Sequence, residues 1–145
     1  MIYFNLKTKY YINKNKINYL IDARNKILGR LSTNIINLII SKNIPTYTPN
    51  YSYINNIIII NANKIKFNKK KIKKKIYYKY TGYIGNKKKY TLGNLFKKNP
   101  CIILKLSIYR MLPKNLLGKY AKKRIFIYKN MKYDKKFNNI IEYNI

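Results

Sequence analysis

A single α/β domain, with a small and mostly parallel sheet covered by helices on both faces, is the fold class this sequence predicts. Three observations lead there. A short apolar run, Tyr19 to Ala23, turns at Arg24 to Lys26 and continues into a helical stripe from Leu28 to Ile40, which is the opening of a strand–helix unit. Ile57 to Asn61 (IIIIN) is too short for an isolated helix and rich in β-branched residues, as expected of a central strand buried on both faces. At 145 residues and 47% hydrophobic, the chain has enough apolar material for one core and too little length for two ordinary domains.

Each element follows from local chemistry. Residues 1–18 show no period and read as an N-terminal arm. The helix at Leu28 to Ile40 carries Leu28, Leu31, Ile35, Leu38 and Ile39 on one stripe, fit to pack on a sheet. Asn43 to Pro49 holds two prolines and must be a loop. Ile65 to Phe67 and Ile76 to Tyr78 are candidate strands on either side of a lysine run. Thr91 is an N-cap for a short helix bearing Leu92, Leu95 and Phe96. Asn99 and Pro100, cap then first-turn proline, start another with Ile103, Leu106 and Arg110, which Pro113 stops. Asn115 to Lys123 makes a further short helix and Ile125 to Tyr128 (IFIY) a last strand. The domain therefore spans residues 19–129, and residues 130–145 read as an irregular, peripheral segment.

Charge dominates the chemistry. The chain has 33 Lys and Arg against 3 Asp and Glu, a formal net charge of +30. Lys, Asn, Ile, Tyr and Phe are together the signature of an A- and T-rich coding sequence, which inflates all five. That bias leaves the missing acids unexplained, because Asp and Glu codons suit such a sequence too, yet only Asp22, Asp134 and Glu142 occur. A chain so charged repels itself and is best stabilised against a polyanion, nucleic acid first among them.

The charge is concentrated. Lys69, Lys70, Lys71, Lys73, Lys74 and Lys75 flank one Ile72, and Lys87, Lys88 and Lys89 follow a tyrosine- and glycine-rich stretch. Burying each ammonium without a partner costs several kcal/mol, so these face water or an anion. Between them Tyr77, Tyr78, Tyr80 and Tyr83 offer flat rings for sugars and bases. Gly82 and Gly85 permit a tight turn and close approach, with Thr81 beside them; the alternative is a plain structural hairpin. A second cluster, Arg110, Lys114, Lys119, Lys122, Lys123 and Arg124, surrounds a proline-stopped helix end. The helix dipole accounts for one or two of these cations and not for six.

Other chemistry is excluded or weak. There is no histidine, so imidazole serves neither as base nor as ligand, and the lone Cys101 permits no internal disulfide and reads as a small buried hydrophobe. No apolar run approaches the ~20 residues that span a bilayer, and no secretory signal pattern opens the chain. No G-x-x-x-x-G-K-S/T loop exists, so neither a nucleotide nor any other cofactor is expected, and no metal. Asp22 has no partner acid or base in sequence and is expected to cap the following turn or pair with a basic side chain. Gly29 in the triplet Leu28, Gly29, Arg30 serves either close helix packing or access of a phosphate to Arg30. Tyr47 and Thr48 are turn residues that also qualify as contacts.

Four blocks, in order, resemble the universal large-subunit ribosomal protein family numbered thirteen. They are IDARNKILGRLST (Ile21 to Thr33), YTPN (Tyr47 to Asn50) leading to IINANKI (Ile59 to Ile65), YYKYTGYIG (Tyr77 to Gly85), and MLPKNLLGKYAKKRIFIY (Met111 to Tyr128). Tyr80 and Tyr83 stand where the family usually has histidines, Asn86 where it often has glycine, and Arg110 where a glycine is common. Asn115 and Leu116 replace a Gly-Pro pair, which leaves the loop after Pro113 open. The resemblance implies a three-layer α/β/α core and a structural, non-catalytic protein that binds large-subunit ribosomal RNA and neighbouring ribosomal proteins, in a bacterium's cytoplasm or an organelle. The rivals are a general cationic architectural protein and an RNA-modifying enzyme. On this reading Lys69 to Lys75 and Tyr77 to Lys89 form one RNA face and Arg110 to Arg124 a second, with Arg30, Tyr47 and Thr48 as further contacts.

Overall fold

Ile57, Ile58, Ile59 and Ile60 are all buried, and the rest of the fold is arranged to bury them. They belong to β2 (Asn56–Ile60), an interior strand of a four-stranded sheet. The computed structural model describes residues 16–45, 47, 49, 55–133 and 137–144. The expected arm at 1–18 therefore lies outside the description up to residue 15, and Asn18 already belongs to the first strand.

The sheet is parallel in every pairing and ordered β5-β2-β1-β6. Strand β1 (Asn18–Asp22) pairs with β2 in the register Ile21↔Ile59, and β5 (Ile125–Ile127) with β2 in the register Ile57↔Ile125. With β2 shielded on both faces, each of its isoleucines contributes about 1.5–3 kcal/mol. Buried polar groups seal the start of the strands: Asn56 Nδ2 donates to Asn18 Oδ1 at 2.8 Å, Asn18 Nδ2 donates to the Asn138 carbonyl, and Asn55 Nδ2 donates to Ser41 Oγ at 3.1 Å.

Connection order decides the layers. From β1 to β2 to β5 the chain steps one way across the sheet, so right-handed crossovers put both intervening segments on the same face. Helix α1 (Leu28–Ile40) fills the first crossover. The second holds a 3₁₀ turn (Ala62–Lys64), α2 (Lys69–Lys74), the hairpin β3 (Ile76–Tyr80) and β4 (Lys87–Thr91), then α3 (Leu92–Lys98), α4 (Pro100–Met111) and α5 (Leu116–Lys123). Accordingly α1, α3, α4 and α5 share one core with Ile21, Ile57, Ile59 and Ile125. Inside that core the Ser32 hydroxyl of α1 donates to the Leu28 carbonyl and lies 2.8 Å from Ser107 Oγ of α4, so this polar group between helices is satisfied.

The step from β5 to β6 (Ile140–Glu142) runs back past β2 and β1, and the same handedness carries it over the opposite face. Phe126 and Tyr128 on that face meet Phe137 and Tyr133, with ring centroids 5.3 Å and 6.1 Å apart. Among the described residues, aromatic side chains rather than a helix cover this side. Tyr19 meets Tyr143 edge-on at 6.2 Å, and its hydroxyl pKa is raised by burial first and by the neighbouring phenol second.

Two element assignments need correction. The C-terminal segment is not wholly irregular, because Ile140 to Glu142 adds a parallel edge strand to β1 in the register Asn18↔Ile140. Three residues carry too little period to announce a strand on their own. Ile65 to Phe67 forms no strand either: Lys66 makes a single bridge with Ile27 before Asn68 caps α2.

The helix ends follow the capping chemistry. Thr91 Oγ1 accepts from Asn94 N–H at 3.3 Å to open α3. Asn99 both ends α3, its N–H donating to the Leu95 carbonyl, and opens α4, its Oδ1 accepting from Cys101 N–H at 3.0 Å. Asn115 opens α5 through a 2.9 Å bond from Gly118 N–H. Gly118 settles the loop after Pro113: a Cβ there would sit 1.9 Å from the Pro113 carbonyl oxygen, so only glycine fits. Replacing Gly118 by Ala is expected to cost about 2–4 kcal/mol, read as an earlier urea midpoint; a midpoint matching wild type would contradict this packing.

Candidate nucleic-acid interface

Helix α2 is six residues long, and all but Ile72 are lysines. Like charges stand at i and i+4 in Lys69–Lys73 and Lys70–Lys74, each pair unfavourable by a few tenths of a kcal/mol, and the first turn places cations at the positive end of the helix dipole. A helix this short is not stable alone. Three features hold it. Asn68 Oδ1 accepts from Lys70 N–H at 3.0 Å, Ile72 packs on α3 where a Cβ on Gly93 would come 3.2 Å from Ile72 Cγ2, and the Lys75 carbonyl accepts from Leu92 N–H at 2.9 Å. All of Lys69, Lys70, Lys71, Lys73, Lys74 and Lys75 are exposed.

The hairpin continues directly from α2. Its register pairs Tyr78↔Lys89 and Tyr80↔Lys87, so the pleat puts Ile76, Tyr78, Tyr80, Lys87 and Lys89 on one face. That face is open to solvent, and Lys87 Nζ lies 4.3 Å from the Tyr78 ring centroid. The other face carries Tyr77, Lys79, Lys88 and Tyr90. Here only Tyr77 is buried, against the core, with Lys75 Nζ at 5.4 Å and Arg110 Cζ at 5.3 Å from its ring centroid. Such cation–π contacts contribute about 0.5–2 kcal/mol each. Gly82 and Gly85 take φ of +100° and +76° in the connecting turn, as expected of glycines needed for a left-handed bend.

Arg110 therefore belongs with the hairpin, where its guanidinium joins the end of α4 to the ribbon's base. The remaining cations of the second cluster divide further. Lys114, Lys119 and Lys123 are exposed on and before α5. Lys122 and Arg124 are half-buried: the Tyr109 hydroxyl donates to the Lys122 carbonyl at 3.2 Å, Lys122 Nζ lies 5.4 Å from the Tyr109 ring, and Arg124 Nε donates to the Tyr120 carbonyl at 3.4 Å. The face expected over Tyr77 to Lys89 includes Lys79 without singling it out, and sequence reasoning passed over Lys105. Lys79 is exposed on the ribbon opposite Lys88, and Lys105 stands over Tyr109 at 5.5 Å.

Arg30 is exposed in the first turn of α1, whose N-cap residue Ile27 supplies no side-chain cap. Nothing lies within 4 Å of a Cβ built on Gly29, so helix packing is not the reason for this glycine. Tyr47 is half-buried and lines a cleft of about 380 Å³ with Ile36, Ile39, Met111, Pro113 and Leu117. Thr48 lies outside the described residues. Asp22 caps its turn as expected, with Oδ1 accepting from Arg24 N–H at 2.8 Å and from Asn61 Nδ2 at 3.0 Å. Cys101 is half-buried against the core rather than wholly buried; burial raises its thiol pKa, with the Cys101 backbone hydrogen bond and then Lys129 acting in the opposite sense. No group of three or more His, Cys, Asp or Glu that fits a metal ion occurs among the described residues, and no helix there is long and apolar enough to cross a membrane.

Comparison with known proteins agrees with this architecture. The family described as Ribosomal protein L13 matches residues 16–134. The large ribosomal subunit protein uL13 of Thermosipho africanus (strain TCF52B) is 41% identical over 126 residues, covering 87% of this chain and 85% of that relative. The uL13 of Leuconostoc mesenteroides is 42% identical over 116 residues, 80% of this chain and 79% of its own length. That of Wigglesworthia glossinidia brevipalpis is 44% identical over 110 residues, covering 76% and 78%. With the fold, the order of motifs and these matches in agreement, the chain belongs to the ribosomal protein L13 family.

Proposed function

We propose that this protein is a structural constituent of the large ribosomal subunit, which binds large-subunit ribosomal RNA, supports its folding during assembly and catalyses no reaction. Its neighbours are that RNA and other proteins of the subunit, in a bacterial cytoplasm or an organelle. The observation that carries the reading is the outlying layer of α2 and the β3–β4 hairpin. It presents Lys69 to Lys75, Lys87 and Lys89 beside the open rings of Tyr78 and Tyr80. Lysines there neutralise phosphates where RNA segments converge, releasing counterions. Rings on the same face pack on sugars and bases, and the glycine turn lets the backbone close on 2′-hydroxyls. Lys114, Lys119 and Lys123 form a smaller second contact, and Arg30 with the open end of α1 a third.

Two outcomes test this. Replacing Lys73, Lys74, Lys87 and Lys88 together by Gln is expected to flatten the salt dependence of binding to large-subunit rRNA, lowering the log–log slope by about three to four; an unchanged slope refutes these four as phosphate contacts. Lys69→Glu puts an acid in the first turn of α2, four residues before Lys73. The free protein should melt about 1–3 °C higher at low salt, because both the dipole and the new pair favour it. The same variant should bind rRNA several-fold more weakly. A variant that binds as tightly as wild type would remove α2 from the interface.

A further inference from the structure

At the end of the hairpin two apolar side chains point into solvent. Ile84 is fully exposed at 101% of its reference area, and Tyr83 beside it is 75% exposed. The turn that carries them is built rather than slack. The Tyr80 hydroxyl donates to the Gly82 carbonyl at 3.1 Å, Thr81 Oγ1 donates to the Asn86 carbonyl at 3.5 Å, and the N–H groups of Asn86 and Lys87 donate to the carbonyls of Tyr83 and Gly85. Positive φ at Gly82 and Gly85 brackets the pair, so the backbone is bent on either side of it. Nothing among the described residues covers these side chains, yet the hydrogen bonds fix the backbone that presents them.

We infer that Tyr83 and Ile84 form a wedge that enters large-subunit rRNA at an unstacked step, with the Tyr83 ring stacked on a base and Ile84 filling the gap beside it. This rests on the rRNA-binding reading above and adds to it the kind of RNA element the tip selects. A nucleic acid is favoured over an apolar protein pocket because the ribbon behind the tip is cationic on both faces, Lys87 and Lys89 on one and Lys79 and Lys88 on the other. Residues 69–98 contain no acid. Anything that reaches Ile84 must lie against this collar of ammonium groups, which suits phosphate and opposes burial in an uncharged pocket. Within RNA, paired A-form grooves give a two-residue apolar tip little to grip, whereas loops, bulges and opened steps offer base faces. Apolar side chains inserted between bases are an established way of holding such a step open.

The test uses the full-length chain and a large-subunit rRNA transcript, comparing wild type with Tyr83→Ser/Ile84→Ser and with Lys87→Gln/Lys88→Gln. Affinity is measured across a KCl series and 2′-hydroxyl acylation is read at each nucleotide. Wild type is expected to render one or two nucleotides unusually reactive. The serine variant should lose that signal and bind about tenfold or more weakly at every salt concentration with the slope unchanged. The glutamine variant should keep the signal and show a shallower slope. A thermal melt of the free serine variant matching wild type excludes misfolding; if it does not match, Ile84→Ser alone carries the same readouts. Wild-type affinity and signal in the serine variant overturn the wedge and leave the rRNA reading standing. A wild-type protein without salt-dependent rRNA affinity overturns both.

Discussion

Like charge gathered on a thin outlying layer is the constraint to which the rest of this structure answers. Helix α2 and the hairpin hold cations that no core can take in, so they hang from the domain by a few apolar handles. Ile72 lies against Gly93, Tyr77 goes under Arg110 and Lys75, and the Leu92 N–H bonds back to the Lys75 carbonyl. Each handle lies at the base of the layer and leaves its outer surface free. Such a layer is least stable when the protein is alone at low salt and gains most from an anion lying against it, which couples the local stability of α2 to binding.

Behind that layer the domain is rigid for ordinary reasons. Five consecutive buried positions in β2, a parallel sheet and helices closed by Thr91, Asn99 and Asn115 give a frame that does not depend on charge. Most polar groups that remain inside are paired, as in Asn56 with Asn18 and Asn55 with Ser41, and among the described residues Asn63 Oδ1 is buried without a partner. Gly118 extends the frame to the second basic cluster, because the Pro113 carbonyl fixes where α5 begins and so where Lys119 and Lys123 stand. The Asn115–Leu116 pair thus keeps a defined turn, with Asn115 acting as cap.

Much of this was legible in the residues. The bounds of α1, the buried isoleucine strand, the Thr91 cap and the double role of Asn99 with Pro100 all follow from short-range chemistry, which a sequence displays directly. What escaped depends on partners distant in the chain. A run with lysine at nearly every position has no apolar period, so α2 is visible only once Gly93 receives Ile72. Strand β6 exists because Asn18 to Leu20 lies beside it. In the interface, residue types marked the right stretch, but the pleat decided which side chains face out: Tyr78 and Tyr80 are open while Tyr77, of the same type, is the anchor. Arg110 moved from one cluster to the other for the same reason, since its ring partner lies more than thirty positions away in sequence.

Hydrogen exchange at the backbone amides of Lys71 to Lys75 tests the coupling between charge and binding most directly, in the free protein at low salt and in its complex with large-subunit rRNA. Exchange there should be fast when free and slowed at least tenfold in the complex, while amides of Ile57 to Ile60 stay slow in both. Equal protection of α2 in both states would contradict the claim that an RNA polyanion stabilises this layer.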